Sequence, residues 1–461
     1  MARIKNLKYY VVTFVAISIL LYIVLITKSM DNDMFFEIAS GRDILNGNFY
    51  TASKLNNQPI VVQQWLYCVC LALLDYLGDI WLYLFVVIQN IILLLLTTIF
   101  VYKKTHDYLK SFLGSFIILL LCGGYLINIR PQIITMIFIM LELIILDKYA
   151  ENRINNKNSY IILWLIPIFI ASVNFHGAVF LYHIFILIPF YLYKTDKYHF
   201  DWKLFTFTFI FVLCNLCTPY GLDGAIYVIN SFTSGVFNIL IISELQPISL
   251  TFYNMILISC YILVAQTIWL IYKHKANKYI IFYMFSIFLL ASTSVRHLSI
   301  LYVAGIYILI ACDFKANKYI KEYICIICLW FVGQSIISNR TELVVYLDKE
   351  ALEANIEDKD EPIFNSLMLG NYLEYLGYNV YVDGRPEIFT EKACGENKLS
   401  KYLTCVNSIK NNTYITEAEQ LELLKNYKYI ILLPSDRPNA FLDKEFNKKY
   451  SDKDMIIWER K

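Results

Sequence analysis

The chain has 461 residues, of which 58% are hydrophobic, and its mean hydropathy is +0.51. A composition this apolar excludes an ordinary soluble globular protein and indicates several membrane-spanning segments. The formal net charge of +2 excludes the basic excess that is typical of nucleic-acid-binding proteins. We therefore expect a polytopic membrane protein that binds no nucleic acid.

Eleven apolar runs are long enough, or nearly long enough, to cross a membrane as helices. They are residues 9–27, 80–102, 111–127, 131–146, 160–173, 178–193, 204–217, 254–272, 279–294, 298–311 and 321–338. The first run lacks a small-residue cleavage site and is interpreted as an uncleaved anchor. A twelfth run, residues 65–77, is far shorter than the roughly 20 residues that a span needs, so it predicts an interfacial helix.

Lysine and arginine are distributed unequally between alternate loops. If residues 65–77 do not cross, one set of loops holds six segments with three basic residues each, 18 in all, and the other set holds five. Short cytoplasmic loops collect Lys and Arg, which predicts that the richer set is cytoplasmic. The N terminus is therefore expected inside and the C-terminal tail outside.

After residue 338 the composition shifts toward Lys, Asp, Glu and Asn. Strand-like runs at 343–347, 380–382, 429–433 and 455–458, and helical patterns at 365–376 and 416–426, predict a small α/β domain. We therefore divide the chain into two predicted domains. Residues 1–338 form a membrane domain whose first external loop, 28–79, holds interfacial helices, and residues 339–461 form an extracytoplasmic α/β domain.

The loops on the predicted external side carry isolated polar side chains near the ends of spans. These are Asp31, Asp33, Gln63, Gln64, Arg130, His176, Tyr220, Glu244, Arg296 and His297. A charge at the bilayer centre costs about 2.5 to 3.5 kcal/mol, so ionisable groups here either reach the interface or face a wet cavity. The cavity interpretation predicts that these residues cluster.

Each charged candidate also has a structural interpretation. Asp31 and Asp33 are also explained as a solvated pair that caps an interfacial helix. An isolated histidine such as His176 more often bonds backbone carbonyls. Arg130 and Arg296 either snorkel or bind an anion such as phosphate. Both arginines lie on the same predicted side of the membrane as the acids and His176, which favours the anion interpretation.

Glu244 lies in a long external loop, residues 218–253. With Asp31, Asp33 and His176 it would supply oxygen and nitrogen ligands for a hard cation, but the chain has no metalloenzyme ligand spacing. A divalent metal is therefore a weak alternative, and no cofactor is otherwise indicated.

Two cysteines, Cys394 and Cys405, lie in the predicted external domain. They would form a disulfide if that compartment is oxidising, although their spacing does not establish the pairing. No glycine-rich phosphate loop, nucleophile elbow or CxxC motif is present in the sequence. This argues against nucleotide-driven chemistry on the cytoplasmic side.

Short motifs follow one another through nearly the whole chain. They are Asp31-Asn32-Asp33, Gly41-Arg42, Gln64-Trp65-Leu66, Arg130-Pro131-Gln132, Asn174-Phe175-His176-Gly177, Thr218-Pro219-Tyr220-Gly221, Glu244-Leu245-Gln246-Pro247, Arg296-His297, Phe364-Asn365 and Asp383-Gly384-Arg385. Their order resembles the GT-C superfamily of polytopic glycosyltransferases, in particular a bacterial branch. Three sites depart from the pattern of this branch. Glu37 stands where a His is frequent, and His297 stands where Asn is usual. Gln63-Gln64 stands where an acidic pair with His is usual.

The resemblance implies a bacterial cell-membrane enzyme that takes sugar from a polyprenyl-phosphate-linked donor on the outer face, with inversion. The acceptor would be a glycan, a lipid or a protein. Asp33, or its neighbour Asp31, would be the general base. The leaving phosphate would be bound by Arg130, Arg296, His297 and His176. The other candidate substrate-binding residues are Gln64, Tyr220 and Glu244.

Two other functions remain open. A transporter or lipid flippase would have interrupted, symmetry-related spans with charges at the midplane, whereas the polar groups here lie at span ends. A catalytically degenerate member would bind a lipid-linked glycan or scaffold envelope assembly, and Gln63 and Gln64 in place of acids favour this alternative.

Overall fold

The computed structural model describes residues 32–50, 60–107, 128–155, 157, 159–194, 198–233, 297–311 and 346–461, the last without 392–394, 408, 411–412 and 415, together with seven separate residues between 110 and 126. These residues form two compact units. The helical unit holds the described residues between Ile80 and Ala225 and residues 297–311. The α/β unit holds those between 32 and 79, residues 226–233, and those between 346 and 461.

The α-helices begin and end as follows. In chain order they are α1 (Asp33–Leu45), α2 (Trp65–Asp75), α3 (Asp79–Thr105), α4 (Gln132–Ile154), α5 (Leu165–Phe175), α6 (Phe180–Leu187), α7 (Trp202–Cys214), α8 (Gly221–Thr233), α9 (Leu298–Ala311), α10 (Lys349–Asn355), α11 (Leu367–Tyr375), α12 (Lys398–Asn407) and α13 (Glu417–Leu424). Single 3₁₀ turns extend α5 and α6, at Ile161–Trp164, Gly177–Val179 and Ile188–Tyr191.

The strands are β1 (Leu192–Lys194), β2 (Tyr198–Phe200), β3 (Ile363–Asn365), β4 (Ile409–Lys410), β5 (Thr413–Tyr414), β6 (Tyr429–Leu432), β7 (Phe446–Ser451) and β8 (Ile456–Arg460). In the α/β unit, four of them form a sheet in the order β3-β6-β8-β7. β3 and β6 are parallel, and the other neighbours are antiparallel. Every residue of β6 is buried, which places the core of this unit along its central strands.

In the helical unit, α3, α4, α5, α6, α7 and α9 lie at predicted apolar runs. Among the described residues, α3 is the one helix both long and apolar enough to cross a membrane, with 27 residues. Shorter apolar helices cover Trp65–Asp75, Ile161–Phe175, Gly177–Tyr191 and Trp202–Cys214. The predicted runs 9–27, 254–272, 279–294 and 321–338 lie outside the described residues, so the number of spans and their orientation stay predictions.

A chain of polar side chains crosses the apolar interior of the helical unit. Glu142 Oε2 on α4 lies 2.6 Å from His183 Nδ1 on α6, and His183 Nε2 lies 2.7 Å from Ser172 Oγ on α5. All three side chains are almost fully buried, and the Phe169 ring packs 4.7 Å from the imidazole. Burial of polar groups in an apolar core is tolerated only when they are paired, so these bonds fix how the three helices pack.

The secondary structure of the tail partly matches its sequence patterns. The strand-like run at 429–433 and the helical pattern at 416–426 are confirmed as β6 and α13, and the run at 455–458 overlaps β8. The run at 380–382 makes an isolated bridge from Val380 to Ile363 instead of a strand, and residues 346–347 of the run at 343–347 are irregular. The helical pattern at 365–376 begins two residues late, because Asn365 ends β3.

The described residues between 32 and 79 fold with the C-terminal residues. The sequence assigns residues 28–79 to the membrane domain, whereas the structure groups the described residues of this segment in the α/β unit. The physical reason is that α1 is buried along nearly its whole length by α2 and α11. No stretch of sequence reveals this pairing, since α1 and α11 are more than 300 residues apart.

Gly41 is the point of closest approach between α1 and α2. A Cβ built on Gly41 would lie 2.1 Å from the Cys68 backbone oxygen and 2.9 Å from Ala72 Cβ. The Cys68 oxygen belongs to the backbone, so it cannot rotate away from an added side chain. The two helices therefore touch through main-chain atoms at this position.

We expect Gly41→Ala to destabilise the α/β unit by about 1 to 3 kcal/mol, the usual cost of overpacking a core. The thermal unfolding midpoint of the purified protein measures the effect. Leu45→Ala is the matched control on the same helix, because Leu45 is 44% exposed. A Gly41→Ala midpoint equal to that of Leu45→Ala would contradict the described packing.

Candidate active site

Asp33 is the first residue of α1, and it carries the carboxylate of the first turn. A carboxylate at a helix N terminus is stabilised by the helix dipole and by the unpaired backbone N–H groups there. The preceding residue, Asn32, makes no side-chain capping bond. Its Nδ2 instead donates to the Met368 carbonyl at 2.7 Å, which ties the start of α1 to α11.

The Asp33 carboxylate is held by an amide from α11. Asn371 Nδ2 donates to Asp33 Oδ1 at 3.3 Å and to the Asn32 carbonyl at 3.1 Å. The Gly384 N–H donates to Asn371 Oδ1 at 2.6 Å. The structure therefore brings the predicted base next to α11 and next to the tail motif Asp383-Gly384-Arg385.

Gln64 lies in the same unit and contacts the next turn of α1. Its Nε2 donates to Glu37 Oε1 at 3.4 Å, and Glu37 is 2% exposed. Glu37 follows Asp33 by four residues, so both carboxylates lie on one face of α1. Glu37 and Gln64, which both depart from the motif pattern of the sequence, are therefore bonded to each other.

A buried arginine joins the tail motif Asp383-Gly384-Arg385 to α1. Arg385 Nη1 donates to Ser40 Oγ at 3.1 Å, and its Cζ lies 4.7 Å from the centre of the Phe36 ring. Nη2 donates to both oxygens of Glu374, at 2.9 and 2.8 Å, and Nε donates to Asp383 Oδ2 at 2.9 Å. One guanidinium therefore serves two carboxyl groups and fixes the position of α1.

The protonation of this cluster follows from its burial. Burial raises the pKa of Glu374 well above its ordinary value; the charge of Arg385 opposes the shift, and the neighbouring Asp383 adds to it. Burial by itself lowers the pKa of Arg385, but the two carboxyl groups outweigh this and raise it. The cluster is neutral when Glu374 keeps its proton, which is the favourable state for a group removed from water.

A second cluster of polar side chains joins the C-terminal ends of α1, α2 and α11. Arg42 Nη2 donates to Asp75 Oδ2 at 2.6 Å, and Nη1 donates to the Tyr375 carbonyl at 2.9 Å. The Arg42 guanidinium also lies 4.4 Å from the centre of the Tyr375 ring, whose hydroxyl donates to Asp75 at 3.2 Å. These contacts close α1, α2 and α11 into one packed group.

In the helical unit, Arg130 and His176 lie at one end of α4. Arg130 precedes Pro131, the residue directly before α4, and Thr135 Oγ1 donates to the Pro131 carbonyl at 3.0 Å. His176 Nδ1 lies 2.9 Å from the same Thr135 oxygen. The Thr135 hydroxyl therefore joins the His176 ring to the start of α4.

The end of α5 is joined to the loop that carries Tyr220. Asn174 Nδ2 donates to the Cys217 carbonyl at 2.8 Å and to the Ile170 carbonyl at 2.7 Å. Tyr220 is 4% exposed, and the next residue, Gly221, has a φ of +50° that favours glycine. The Asn-x-His-Gly and Pro-Tyr-Gly motifs of the sequence are therefore neighbours in space.

His297 is also in the helical unit, directly before α9, and it is buried. Its ring packs against Tyr182 on α6, with centres 5.1 Å apart and planes at 72°. Three candidates from the sequence, Asp31, Glu244 and Arg296, lie outside the described residues. The structure thus places Asp33 and Gln64 in the α/β unit, and Arg130, His176, Tyr220 and His297 in the helical unit.

Sequence reasoning missed Asn371 and Glu374. Both lie inside an amphipathic helical pattern, where a polar residue usually faces water, yet they are 1% and 4% exposed. The motif Asp383-Gly384-Arg385 pointed to this part of the tail, but it did not reveal that Asn371 and Glu374 contact the motif. Only the packing of α11 against α1 reveals them.

The described residues contain no group of three or more His, Cys, Asp or Glu side chains that would hold a metal ion. The proposed cation site needs Asp31 and Glu244, which lie outside this part of the chain. Cys405 is buried, and Cys394 is outside the described residues, so the disulfide also stays a prediction.

No protein-family model matches the sequence, and a search of curated protein sequences gives no match. Solved structures do match. The apo oligosaccharyltransferase of Archaeoglobus fulgidus aligns with a TM-score of 0.64 at 11% identity, covering 94% of this chain and 70% of that chain. The same enzyme tethered to an acceptor peptide with the NVT sequon aligns at 0.57 and 12% identity, with the same coverage.

ArnT from Cupriavidus metallidurans bound to undecaprenyl phosphate aligns with a TM-score of 0.55 at 11% identity, covering 98% of both chains. The oligosaccharyltransferase and ArnT both belong to the GT-C superfamily. The chain therefore has the GT-C fold, and the fold that its motifs predicted is confirmed. At this level of identity the likeness concerns the fold.

The raised pKa of Glu374 predicts a pH dependence of stability. Between the ordinary value of 4.5 and the higher folded-state pKa, the folded protein holds a proton that the unfolded chain has lost, so stability falls as pH rises. We expect Glu374→Gln, which cannot ionise, to lose this part of the slope. Unfolding midpoints measured from pH 4 upward test it, with Glu422→Gln as the exposed control. Parallel profiles of the wild type and Glu374→Gln would contradict the assignment.

Proposed function

We propose that this chain is an inverting membrane glycosyltransferase that moves a sugar from a polyprenyl-phosphate-linked donor to an acceptor on the external face of the membrane. The observation that carries the proposal is a carboxylate, Asp33, at the N terminus of a buried helix in a chain with the GT-C fold. The neighbours add support, since one was crystallised with undecaprenyl phosphate and another with an acceptor peptide.

Asp33 is proposed as the general base. In an inverting transfer the acceptor hydroxyl attacks the anomeric carbon and loses its proton to a positioned carboxylate, a contribution of about 10² to 10⁴ in rate. Its location suits this role, because the helix N terminus and the Asn371 amide both favour the ionised form. Asp31 is the second candidate.

The leaving phosphate needs hydrogen-bond donors and not a proton, because its pKa is low. We assign this role to Arg130 and His176, together with Arg296 and His297. Fixed donors in a poorly hydrated site stabilise the charge that grows on the leaving oxygen. The bond between Thr135 and His176 gives the imidazole a fixed orientation. Gln64, Tyr220 and Glu244 are proposed to contact the substrates.

The proposed orientation has the N terminus in the cytoplasm and the α/β unit outside. We expect alkaline phosphatase fused after Lys461 to be active in cells, because this enzyme matures only outside the cytoplasm. The same fusion after Asn155, in a lysine-rich loop, should be inactive. The reverse pattern would contradict the orientation.

Asp33→Asn tests the proposed base. The purified full chain is given a panel of synthetic decaprenyl-phosphate-linked monosaccharides and an envelope extract as acceptor, and released decaprenyl phosphate is measured by mass spectrometry. Loss of the base predicts a rate lower by about 10²-fold or more. Asp43→Asn, on the same helix, is the matched control and should stay active. Transfer by Asp33→Asn at the wild-type rate would remove the central claim.

The same assay separates the alternatives. A chain that binds the donor lipids but releases no decaprenyl phosphate would be a degenerate member, as Gln63 and Gln64 suggest. Flux of substrate across proteoliposomes without transfer would identify a transporter or flippase. Mass spectra of the lipids that copurify with the chain identify the donor class independently of turnover.

A further inference from the structure

We propose that Asn371 is a positioning residue that holds the Asp33 carboxylate in one orientation and favours its ionised form. The proposal rests on the proposed role of Asp33 as the general base. Asn371 does not touch the reacting atoms. It acts through the carboxylate, from a helix that follows Asp33 by more than 300 residues in the chain.

The orientation of the Asn371 amide is determined by its neighbours. The Gly384 N–H is a donor and lies 2.6 Å from the side-chain amide, so the atom that faces it must be the oxygen. The NH₂ group then faces the Asn32 carbonyl and Asp33 Oδ1, which are both acceptors. The amide therefore uses its oxygen and both of its protons, and its reversal would break all three bonds.

Close packing fixes the place of Asn371 as well as its orientation. A Cβ on Gly384 would lie 2.9 Å from Asp33 Oδ1 and 2.7 Å from Asn371 Nδ2. A Cβ on Gly370, directly before Asn371, would lie 2.0 Å from the Val382 carbonyl. Two residues without side chains thus let α11 and the loop at 382–384 approach until the amide reaches Asp33. Asn371 itself is 1% exposed.

The charges on the surrounding elements act in both directions. Glu37 on the same helix and Asp383 disfavour a negative charge on Asp33 when they are ionised, and Arg385 favours it. Glu374, whose burial raises its pKa, adds no negative charge while it keeps its proton. A hydrogen bond donated to a carboxylate stabilises its charged form. The Asn371 amide, which donates directly to Asp33 Oδ1, therefore favours the ionised carboxylate that a general base requires.

Asn371→Asp and Asn371→Ala test the proposal. In the Asp variant one oxygen can still accept from Gly384, but the other cannot donate and repels the Asp33 carboxylate. Removal of the donor disfavours the ionised form of Asp33, so we expect the acid limb of the pH–rate profile to move to higher pH by about one unit. kcat should fall about tenfold or more at the acid end and recover as pH rises. KM for the donor lipid should change little.

Asn379→Ala is the matched control. Asn379 is a buried amide of the same unit, 5% exposed, and its Nδ2 donates to the Asp360 carbonyl at 2.9 Å without touching Asp33. We expect this variant to lower the unfolding midpoint while keeping the wild-type pH profile. A purely structural role for Asn371 predicts the same behaviour in all three variants.

The outcomes separate this inference from the proposed function. Suppose that Asp33→Asn is inactive, but that either Asn371 variant keeps the wild-type kcat and the wild-type acid limb of the pH–rate profile. This result would overturn the positioning role and leave the glycosyltransferase proposal intact. An active Asp33→Asn would overturn the base itself. Because Asn371→Ala removes the same donor without adding charge, it decides the question if the Asp variant does not fold.

Discussion

The buried guanidinium of Arg385 is the contact on which the arrangement around Asp33 depends. It is bonded to two carboxyl groups of the tail and to Ser40 on α1, and it is 8% exposed. Removing such a charge from water is costly, and the cost is recovered only when every donor finds a partner in good geometry. The contact therefore allows one placement of α1 against the tail. That placement brings Asp33 to Asn371.

This constraint gives several short motifs a common physical meaning. Gly41 allows two helix backbones to touch, Arg42 closes the far end of the helix group, and Gly384 lets a loop approach the carboxylate. In the helical unit, Asn174 and Thr135 act in the same way, by fixing a loop and an imidazole. Most of these residues, which are separate polar or glycine motifs in the sequence, therefore position other groups. The candidate chemical groups are few, and their neighbours determine where they point.

The sequence predicted features that depend on local patterns. The apolar run at 80–102 became α3, and the short run at 65–77 became an 11-residue helix, because length and hydropathy are local properties. β7 was missed because its central residues are exposed and rich in lysine, as is common on edge strands. β3 was missed because it has three residues and its partner β6 lies more than 60 residues later. Asp33 was found from its position after an apolar run, whereas Asn371 and Glu374 could not be found, since their contacts join distant parts of the chain.

A double-mutant cycle between positions 33 and 371 tests whether the tail acts on the reaction through the Asp33 carboxylate. Asp33→Glu moves the carboxylate by one methylene while keeping a base, so residual transfer can be compared with and without Asn371→Ala. We expect Asn371→Ala to lower kcat strongly in the wild type and only weakly in the Asp33→Glu background. An equal loss in both backgrounds would contradict this expectation, because the two residues would then act independently.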